Sequence, residues 1–429
     1  MQPHVTITDT QANSSMFTFQ PASGYFKDRA LSLPATKTDS SGPSVSVIAP
    51  DLSGGGTTRV YLVANALQRL GFQVTVIGPQ FSSPIYPQPP KNLNVCAVPA
   101  ERSLKYAIAL KAILSSLNSD LIYAIKPRPT SLGTALLKQL TNRRRPVLLD
   151  IDDWEMSWQG KRYRPTPKQL LRDLLKPNGA LHNPEHPICI EWMESLITRA
   201  DAVTTSTRFL QQKFNGYYLP NSKDTQLFNP ATFNPEASRE KYGLSGYRVL
   251  MFPGTARPHK GLEDMLIALD KLNQPDLRLV IVGGRKPDSY EDDLLARWGR
   301  WLIKLPRFSM AEMAEVVSAA HVVVVPQRNY ETAKAQFPLK LTDGMAMAKP
   351  ILSTTVGDIP EILIGCGYFA EPESPDQLAA QLSTIFQNWE DAVHMGLKAR
   401  ARCIEHYSLN AMASRLQALM IQKGYLVSA

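Results

Sequence analysis

The amino-acid sequence predicts an α/β protein of two doubly wound parallel-sheet domains with a cleft between them. The chain has 429 residues, more than the roughly 250–300 at which a single hydrophobic core usually stops growing. Each half of the chain carries its own series of short apolar strands, followed by glycine-rich or polar loops and amphipathic helices. Because β-loop-α-β units of this kind build parallel sheets, each series predicts one sheet.

The first series predicts a domain over residues 44–232. The predicted strands lie at residues 45–49, 73–78, 120–125, 146–152 and 202–206, and a helix that stops before Gly71 lies at 57–70. Residues 1–43 are rich in Ser, Thr, Pro and Gln with little apolar periodicity, which predicts a flexible N-terminal arm. The proline-rich, basic stretch 158–187 predicts an irregular insertion with short helices near the cleft or the surface.

The second series predicts a domain over residues 233–406. Its strands are predicted at residues 248–254, 277–284, 321–326 and 350–354, with a helix at 262–272. Pro, Asn and Asp interrupt the apolar pattern between residues 220 and 242, which predicts the hinge there. The final segment, 407–429, contains a helical pattern over 410–423 and is predicted to pack back towards the first domain.

Composition predicts a cytoplasmic globular protein. The chain is 44% apolar and 20% charged, no apolar run approaches the roughly 20 residues of a membrane span, and its beginning lacks the basic-then-apolar order of a secretory signal. Its four cysteines are far apart without a CxxC pair, which predicts neither a zinc site nor a redox motif. The net charge of +9 suits a nucleic acid, an anionic membrane face or an anionic nucleotide substrate, and charge alone does not choose among them. Of these partners we expect no nucleic acid.

Two basic clusters bear on the membrane alternative. They lie at residues 143–145 and 161–164. They could dock on anionic lipid, which would make the protein peripheral on the inner face of a membrane. The other interpretation is a solvated basic face.

A glycine-rich loop follows the first predicted strand. In this loop Gly54, Gly55 and Gly56 let the backbone approach a ligand that any Cβ would block. The loop is not GxGxxG and lacks the Lys-Ser/Thr end of a Walker A loop, so a dinucleotide or NTPase site is not indicated. The alternative is a tight strand-to-helix turn without a ligand.

Two segments of the second half predict a diphosphate site. After its first strand come Gly254 and Thr255, and then Arg257 and Lys260, which are placed to neutralise a diphosphate at the start of a helix. In the segment 336–350, Lys340 could meet phosphate oxygens beside Leu341, while Asp343 accepts hydrogen bonds from ribose hydroxyls. The alternative for Lys340 and Asp343 is an i,i+3 surface ion pair.

Carboxylates follow a strand of the first half. Asp152 or Asp153 could orient an acceptor hydroxyl and take its proton, because the end of a parallel strand faces the cleft. The alternative is a cluster that caps the next helix. Lys126 and Arg128 follow another strand and are expected near the cleft, where they could also serve only to balance those carboxylates.

Five ordered segments resemble the retaining GT-B glycosyltransferases of the group-1 (GT4-like) class. The resemblance runs from about residue 45 to 407, and its segments are 200–206, 219–228, 252–261, 337–350 and 356–362. It implies a hexosyltransferase-like enzyme whose first domain binds the acceptor and whose second domain binds a UDP-, GDP- or ADP-linked sugar. The acceptor would be a carbohydrate, a lipid or a small molecule, in bacterial-type polysaccharide or glycolipid biosynthesis.

The same resemblance implies roles for single residues. Arg257 and Lys260 would bind the donor diphosphate with support from Lys340, and Asp343 would replace the usual ribose-binding Glu. Transfer would proceed with retention, without an enzymic nucleophile and without a cofactor or an obligatory metal.

The sequence departs from the family pattern at two places. The acidic residue that usually touches the donor sugar falls on Ala335, with Glu331 one turn earlier as a candidate substitute, and the usual His of the first domain is missing. These departures leave open a degenerate GT-B module that binds nucleotide or a partner without turnover. A sugar-nucleotide epimerase or a phosphorylase also remains an alternative.

Overall fold

A computed structural model describes residues 42–54, 56–103, 105–141, 145–159, 166–176, 179–180, 182–284 and 289–426. Most of the predicted N-terminal arm, part of the predicted insertion, the basic cluster 161–164 and most of the cluster 143–145 lie outside these residues. The described residues form two α/β units, each built on a parallel sheet. The predicted pair of doubly wound domains is confirmed.

Among the described residues, seven parallel strands form the first sheet in the order β3-β2-β1-β4-β5-β6-β7. They are β1 (Ser44–Ile48), β2 (Gln73–Gln80), β3 (Asn94–Pro99), β4 (Leu121–Ile125), β5 (Val147–Ile151), β6 (Ala202–Thr205) and β7 (Tyr217–Tyr218). Strands β3 and β7 at the two edges were not predicted. β3 is only half-buried and β7 has 2 residues, so both differ from the buried central strands β4 and β5.

Six α-helices lie among the described residues of the first unit, and they include helices on both faces of its sheet. They are α1 (Thr57–Arg69), α2 (Tyr106–Ser116), α3 (Thr134–Thr141), α4 (Pro167–Leu175), α5 (Pro187–Ser195) and α6 (Arg208–Phe214). Alternate residues of β4 serve different cores, since Tyr123 belongs to the cluster that contains α1 and Ile122 to the cluster that contains Leu132 and Leu210. β4 is therefore apolar on both sides, as a central strand of a doubly wound sheet requires.

Among the described residues, six parallel strands form the second sheet in the order β10-β9-β8-β11-β12-β13. They are β8 (Arg248–Pro253), β9 (Leu277–Val282), β10 (Leu302–Leu305), β11 (Val322–Val325), β12 (Ile351–Thr354) and β13 (Tyr368–Ala370). Before and between them lie α7 (Pro235–Lys241), α8 (Leu262–Leu272), α9 (Ser289–Trp298), α10 (Met310–Ser318), α11 (Glu331–Lys334), α12 (Leu339–Ala346) and α13 (Ile359–Ile362). The two edge strands β10 and β13 are short, partly exposed and were not predicted.

Three helices end the described chain, and the last of them returns to the first unit. They are α14 (Pro375–Gln387), α15 (Trp389–Tyr407) and α16 (Leu409–Gln422). Leu416 and Met420 of α16 belong to the same apolar cluster as Val63 and Leu67 of α1. The helical segment at the end of the chain therefore packs where the sequence predicted it.

Two segments cross between the units, and they are hydrogen-bonded to each other. Leu219 belongs to the first core and Phe228 to the second, so the first crossing lies within residues 220–227, earlier than the predicted domain boundary at 232. The second crossing joins α15 to α16. Lys223 N–H donates to the carbonyl of Tyr407 at 2.8 Å and the Lys223 carbonyl accepts from Leu409 N–H at 3.2 Å.

Candidate functional site

The loop between β8 and α8 presents Lys260 to the interior. It passes through a short 3₁₀ turn, Pro258–Lys260, and ends at Gly261, whose φ is 69°. A Cβ at Gly261 would lie 1.7 Å from the carbonyl oxygen of Pro326, so only glycine fits there. The loop therefore lies against the end of β11 with Lys260 held inside, where its Nζ donates to Oε1 of Gln336 at 2.7 Å.

Lys340, in the first turn of α12, lies against the beginning of the same loop. Its Nζ is 4.6 Å from the centre of the Phe252 ring, and a Cβ at Gly254 would lie 3.7 Å from that Nζ. Lys260 and Lys340 are both 8% exposed. The structure therefore brings Gly254, Lys260 and Lys340 together at the carboxyl end of β8, as predicted from the sequence.

The two amino groups are buried without an anionic partner. Within the part of the chain that the structure describes, neither pairs with a carboxylate: Lys260 bonds to a neutral amide and Lys340 faces an aromatic ring. Burial lowers the pKa of Lys340 to about 8, and Asp343 offsets only part of this effect. Burial, together with the charge of Lys340, holds the pKa of Lys260 well below its usual range. Two desolvated amines side by side form a site that an anion would stabilise.

The other residues of this loop lie closer to solvent or carry no charge at neutral pH. Arg257 is exposed and its guanidinium donates to the Ala256 carbonyl at 2.7 Å, while Thr255 is half-buried. His259 is buried beside the exposed ring of Trp158, with ring centres 5.4 Å apart. Burial and then the charge of Lys260 lower the pKa of His259 to about 3, so this imidazole is neutral.

On the first sheet, the carboxylates after β5 surround Lys126. This lysine ends β4 with a φ of 69°, and its Nζ donates to Glu155 at 2.7 Å and lies 3.3 Å from Asp152. Arg128 donates to the other oxygen of Glu155 through Nε at 3.0 Å. The two cations therefore balance the carboxylates, which is the second of the two interpretations that the sequence allowed for them.

The pKa values of Asp153 and Glu155 move in opposite directions. Burial alone would raise the pKa of Glu155, but Lys126 and Arg128 outweigh burial and lower that pKa to about 2. Burial raises the pKa of Asp153 to about 6, since Lys126 is 4.0 Å away and offsets burial only in part. The pKa of Asp152 is also raised by burial, against the effect of Lys126. Asp152 and Asp153 are thus the carboxylates of this cluster whose pKa is raised, as a general base requires, whereas Glu155 stays ionised.

Gln336 connects the two halves of the site. Its Nε2 donates to Oδ2 of Asp153 at 3.0 Å, while its Oε1 accepts from Lys260 at 2.7 Å. Trp158 also donates to Oδ2 of Asp153 at 3.0 Å, and Oδ1 of Asp153 has no hydrogen-bond partner among the described residues. No backbone N–H among the described residues donates to Asp153, so the helix-cap alternative finds no support. The candidate base and a candidate diphosphate ligand are therefore joined across the cleft by one amide.

The glycine-rich loop lies at the same edge of the first sheet. A Cβ at Gly56 would lie 3.5 Å from Cε of Lys126, and one at Gly54 would lie 3.4 Å from Oδ2 of Asp51; both are ordinary contacts. Gly55 lies outside the described residues. Internal packing does not explain why Gly54 and Gly56 are glycine, and the predicted approach of a ligand remains an interpretation.

Asp343 has a partner that the sequence did not predict. Its Oδ1 pairs with the ammonium of Lys223 from the first crossing segment, and both side chains are buried. The i,i+3 surface pair with Lys340 is therefore not formed. The candidate ribose ligand is held by the hinge instead.

Two other positions are taken up by packing. Leu341 was predicted to contact the ligand, but its side chain is fully buried in the second core and its N–H donates to the Pro338 carbonyl at 2.9 Å, so it is not placed for such a contact. Ala335 is fully buried in an apolar cluster of the first unit that contains Ile151 and Leu210. The position of the missing acidic residue is therefore closed by an interdomain apolar contact. Glu331, the candidate substitute, lines an open pocket between the units.

Gln336 and Lys223 are the residues at this site that sequence reasoning missed. Gln336 stands between Ala335 and the predicted loop of Lys340, and its position beside the missing acidic residue was the available signal. Lys223 lies in a segment that the family resemblance covers, but nothing in the sequence pairs it with Asp343.

The described residues contain no cluster of three or more His, Cys, Asp and Glu side chains arranged to hold a metal ion. Over the same residues, no helix combines the length and the apolar character that a bilayer crossing needs.

Comparison with protein families gives two matches that cover most of both units. A model described as glycosyl transferases group 1 matches residues 247–388, and one described as glycosyltransferase family 4 matches residues 53–229. The first match includes the loop of Lys260 and the helix of Lys340, and the second includes the carboxylates after β5.

Individual proteins resemble the chain at low identity. The MMP alpha-(1->4)-mannosyltransferase of Mycolicibacterium hassiacum is 24% identical over 230 residues, which are 52% of this chain and 52% of that protein. The match thus spans about half of that relative's length. The GDP-mannose-dependent alpha-(1-6)-phosphatidylinositol monomannoside mannosyltransferase of Mycolicibacterium smegmatis is 23% identical over 327 residues, 70% of this chain and 84% of that protein.

Among solved structures, Anabaena Alr3699/HepE in complex with UDP and glucose superposes with a TM-score of 0.67. The match covers 89% of this chain and 100% of that chain at 14% identity. At this identity the likeness shows the fold alone.

Proposed function

Because the chain belongs to the group-1 glycosyltransferases and has the GT-B fold, we propose that it transfers a sugar from a nucleotide diphosphate-sugar to an acceptor hydroxyl with retention of configuration. The observation that carries the proposal is the pair of buried amines, Lys260 and Lys340, without an anionic partner among the described residues. A diphosphate supplies the negative charge that this pair lacks.

The amines would act mainly on the leaving group. When the anomeric C–O bond of the donor breaks, positive charge grows on the sugar and negative charge grows on the departing diphosphate. Fixed cations that are already desolvated stabilise that charge without reorganisation, which lowers the barrier. Lys260 and Lys340 together with the amide groups of the loop at Gly254 supply this stabilisation in our proposal, and the reaction then needs no metal ion. Arg257 would reach the diphosphate from the solvent side.

Asp153 would handle the proton of the acceptor. The new glycosidic C–O bond forms as the acceptor hydroxyl loses its proton, which passes to Asp153 and then to solvent. A carboxyl whose pKa is about 6 is ionised at neutral pH yet basic enough to accept a proton in the transition state. Oδ2 already accepts two hydrogen bonds, whereas Oδ1 is buried and accepts none among the described residues, so Oδ1 would take the proton once the acceptor gains access to it.

One observation favours a second function, a GT-B module that binds nucleotide without turnover. Ala335 is buried at the position where the family usually has an acidic residue against the donor sugar. A site that holds the diphosphate but makes no carboxylate contact with the sugar would bind the donor and transfer its sugar poorly. This alternative predicts normal nucleotide affinity and no product.

A panel of UDP-, GDP- and ADP-sugars tests both functions. The names of the relatives and of the structural neighbour make GDP-mannose and UDP-glucose the first donors to try. Donor turnover, with the anomer of the product read by NMR, supports the enzyme and tests retention. Calorimetric binding of the nucleotide without turnover supports the module, and neither binding nor turnover across the panel would reject both.

Lys260→Ala is the matched variant for this panel. We expect it to lose donor affinity with the fold intact, because its only described hydrogen bond is to the amide of Gln336. Lys349→Ala is the control, since Lys349 is also a lysine of lowered pKa but donates to the Ser318 carbonyl at 2.6 Å, away from the site. An unchanged dissociation constant for Lys260→Ala would remove this lysine from the site.

We also propose peripheral contact with an anionic membrane through α4. Leu171 is exposed on this helix beside Lys168 and Arg172, so one segment offers an apolar side chain flanked by cations. Wild-type protein should sediment with phosphatidylserine vesicles more than with phosphatidylcholine vesicles, and Leu171→Asp should not. Ile364→Asp, at an equally exposed position after α13, is the control. If Leu171→Asp still sediments with phosphatidylserine vesicles, α4 is not the membrane contact.

A further inference from the structure

An open pocket of about 620 Å³ lies between the two units. Trp154, Ser157 and Glu194 form its wall on the first unit, and Tyr330 and Glu331 form its wall on the second. Its size falls within the range of small-molecule sites, and it is shared between the two units as such sites often are. The pocket is therefore large enough for one or two sugar rings.

The pocket is lined by residues that are close in the chain to the candidate base and to Gln336. Trp154 follows Asp153 in the chain, and α11, which carries Glu331, ends just before Gln336. Since Gln336 donates to Asp153, the pocket is lined by chain neighbours of both residues of this contact.

The charges around the pocket are mostly negative. Glu191, Glu194 and Glu331 line it, against a single lysine, Lys213. The ammonium of Lys213 lies 3.7 Å from the centre of the Trp154 ring, and that Trp donates to Glu194 at 3.1 Å. The cation is therefore already held by an aromatic face, whereas Glu191 and Glu331 line the pocket as exposed residues.

From this pocket we infer the chemical class of the acceptor: a carbohydrate whose reacting unit is uncharged or carries an amino group, not a phosphate or a carboxylate. The inference rests on the proposed function and narrows it. Carboxylates accept hydrogen bonds from sugar hydroxyls and attract an ammonium, and aromatic rings pack on the apolar faces of sugars. An anionic group among three carboxylates would be repelled.

The same charges argue against the donor as the occupant. A nucleotide diphosphate-sugar carries its negative charge near the sugar, and the buried cations that suit it lie on the other side of Gln336. The pocket has the opposite sign. Each partner of the reaction thus has a part of the cleft whose charge fits it.

Acceptor selectivity tests the inference with sets of one sugar that differ in a single group. Mannose and glucose would each be compared with their amino, 6-phosphate and uronic acid forms, using the donor that the panel above identifies. We expect kcat/KM to be at least about tenfold higher for the neutral and amino forms than for the anionic forms. Glu331→Gln should narrow this ratio about threefold or more by removing one carboxylate, without changing the KM for the donor. Glu390→Gln, at an exposed position of α15 away from the pocket, should leave the ratio unchanged.

A second measurement does not depend on turnover. Saturation-transfer NMR of the protein with UDP or GDP should show contact with the neutral and amino sugars and not with the sugar phosphates, whether or not a product forms. Preference for an anionic sugar, absence of contact with any neutral or amino sugar, or a Glu331→Gln effect confined to the donor KM would overturn the inference. If the protein prefers an anionic sugar, or if Glu331→Gln changes only the donor KM, turnover of the donor would still support the proposed function.

Discussion

Binding of the nucleotide sugar should weaken as the pH rises through 8, because Lys340 must carry a proton to attract the donor diphosphate. Burial lowers the pKa of Lys340 to about 8 in the free protein, and a bound diphosphate would raise it again by opposite charge. Lys340 therefore takes up a proton on binding above pH 8. A sugar diphosphate has no proton to exchange near this pH, in contrast to a terminal phosphate, whose second pKa is about 6.

Linkage gives the size of the effect. If one group with a pKa of about 8 must be protonated, the Kd rises about tenfold between pH 7 and pH 9. The pKa of Lys260 is also lowered by burial, so its loss of a proton in the same interval would make the change larger. The stability of the free protein changes in the opposite direction. The unfolded chain binds more protons between the folded pKa of Lys340 and the usual value of about 10.4, so stability rises with pH across that interval.

The decisive variant is Lys340→Met, measured by calorimetry with GDP-mannose or UDP-glucose at pH 7, 8 and 9. It should bind weakly at every pH without the tenfold change, and its free energy of unfolding at pH 7 should increase by up to about 3 kcal/mol because a buried charge is removed. Lys349→Met is the control. Lys349 has a pKa of about 8 as well, but it bonds to a backbone carbonyl outside the site.

Two results would refute this reasoning. A Kd that is constant from pH 7 to pH 9 in the wild type would show that Lys340 carries no proton into the complex. Loss of the pH dependence in Lys349→Met would assign it to a lysine that does not touch the donor.

Four further outcomes follow from the same contacts. Asp153→Asn should lower kcat by about 100-fold or more and remove the loss of activity below the pKa of about 6; an unchanged profile would exclude Asp153 as the base. Gln336→Leu should reduce kcat by a larger factor than it weakens donor binding. A larger effect on donor binding than on kcat would assign Gln336 to the donor site. Asp343→Asn should lower the free energy of unfolding, measured in urea, by about 3–5 kcal/mol, because Lys223 would remain buried without its partner. Unchanged stability would show that this ion pair does not stabilise the fold. Excess EDTA should leave turnover unchanged if Lys260 and Lys340 supply the positive charge, and a loss restored by Mg²⁺ would contradict the proposed electrostatics.

The central strands were predictable because they are rich in apolar residues, as in Leu121–Ile125 and Val322–Val325, a pattern that favours burial on both faces of a parallel sheet. β8 and β12 lie within a residue or two of their predicted bounds, and the loop of Lys260 follows from where β8 ends. The edge strands β3 and β13 also consist largely of apolar residues, but they are only partly buried, and a short apolar run does not by itself distinguish a strand from another buried segment. Register and edge pairing depend on neighbours that the sequence of one strand does not reveal.

The site was predictable only in part for a related reason. Gly254, Lys260 and Lys340 follow from rules about strand ends and helix starts, which act over a few residues. The pairing of Lys223 with Asp343 joins positions that are far apart in the chain, and it depends on how the crossing segment packs on α12. Burial of Ala335 is likewise a property of the contact between the two units and has no local signature.

Gln336 connects Lys260 and Asp153 across the cleft by two hydrogen bonds that donor binding can alter. In the free protein its carbonyl accepts from Lys260 and its amide N–H donates to Asp153. That second bond lowers the pKa of Asp153, although burial dominates and keeps the value raised. A diphosphate that takes Lys260 as its own ligand removes the contact that fixes the amide in this orientation. If the bond from Gln336 to Asp153 weakens as a result, the pKa of Asp153 rises and the carboxylate becomes a stronger base. The base would then be strongest when the donor is in place, because one neutral amide serves both groups.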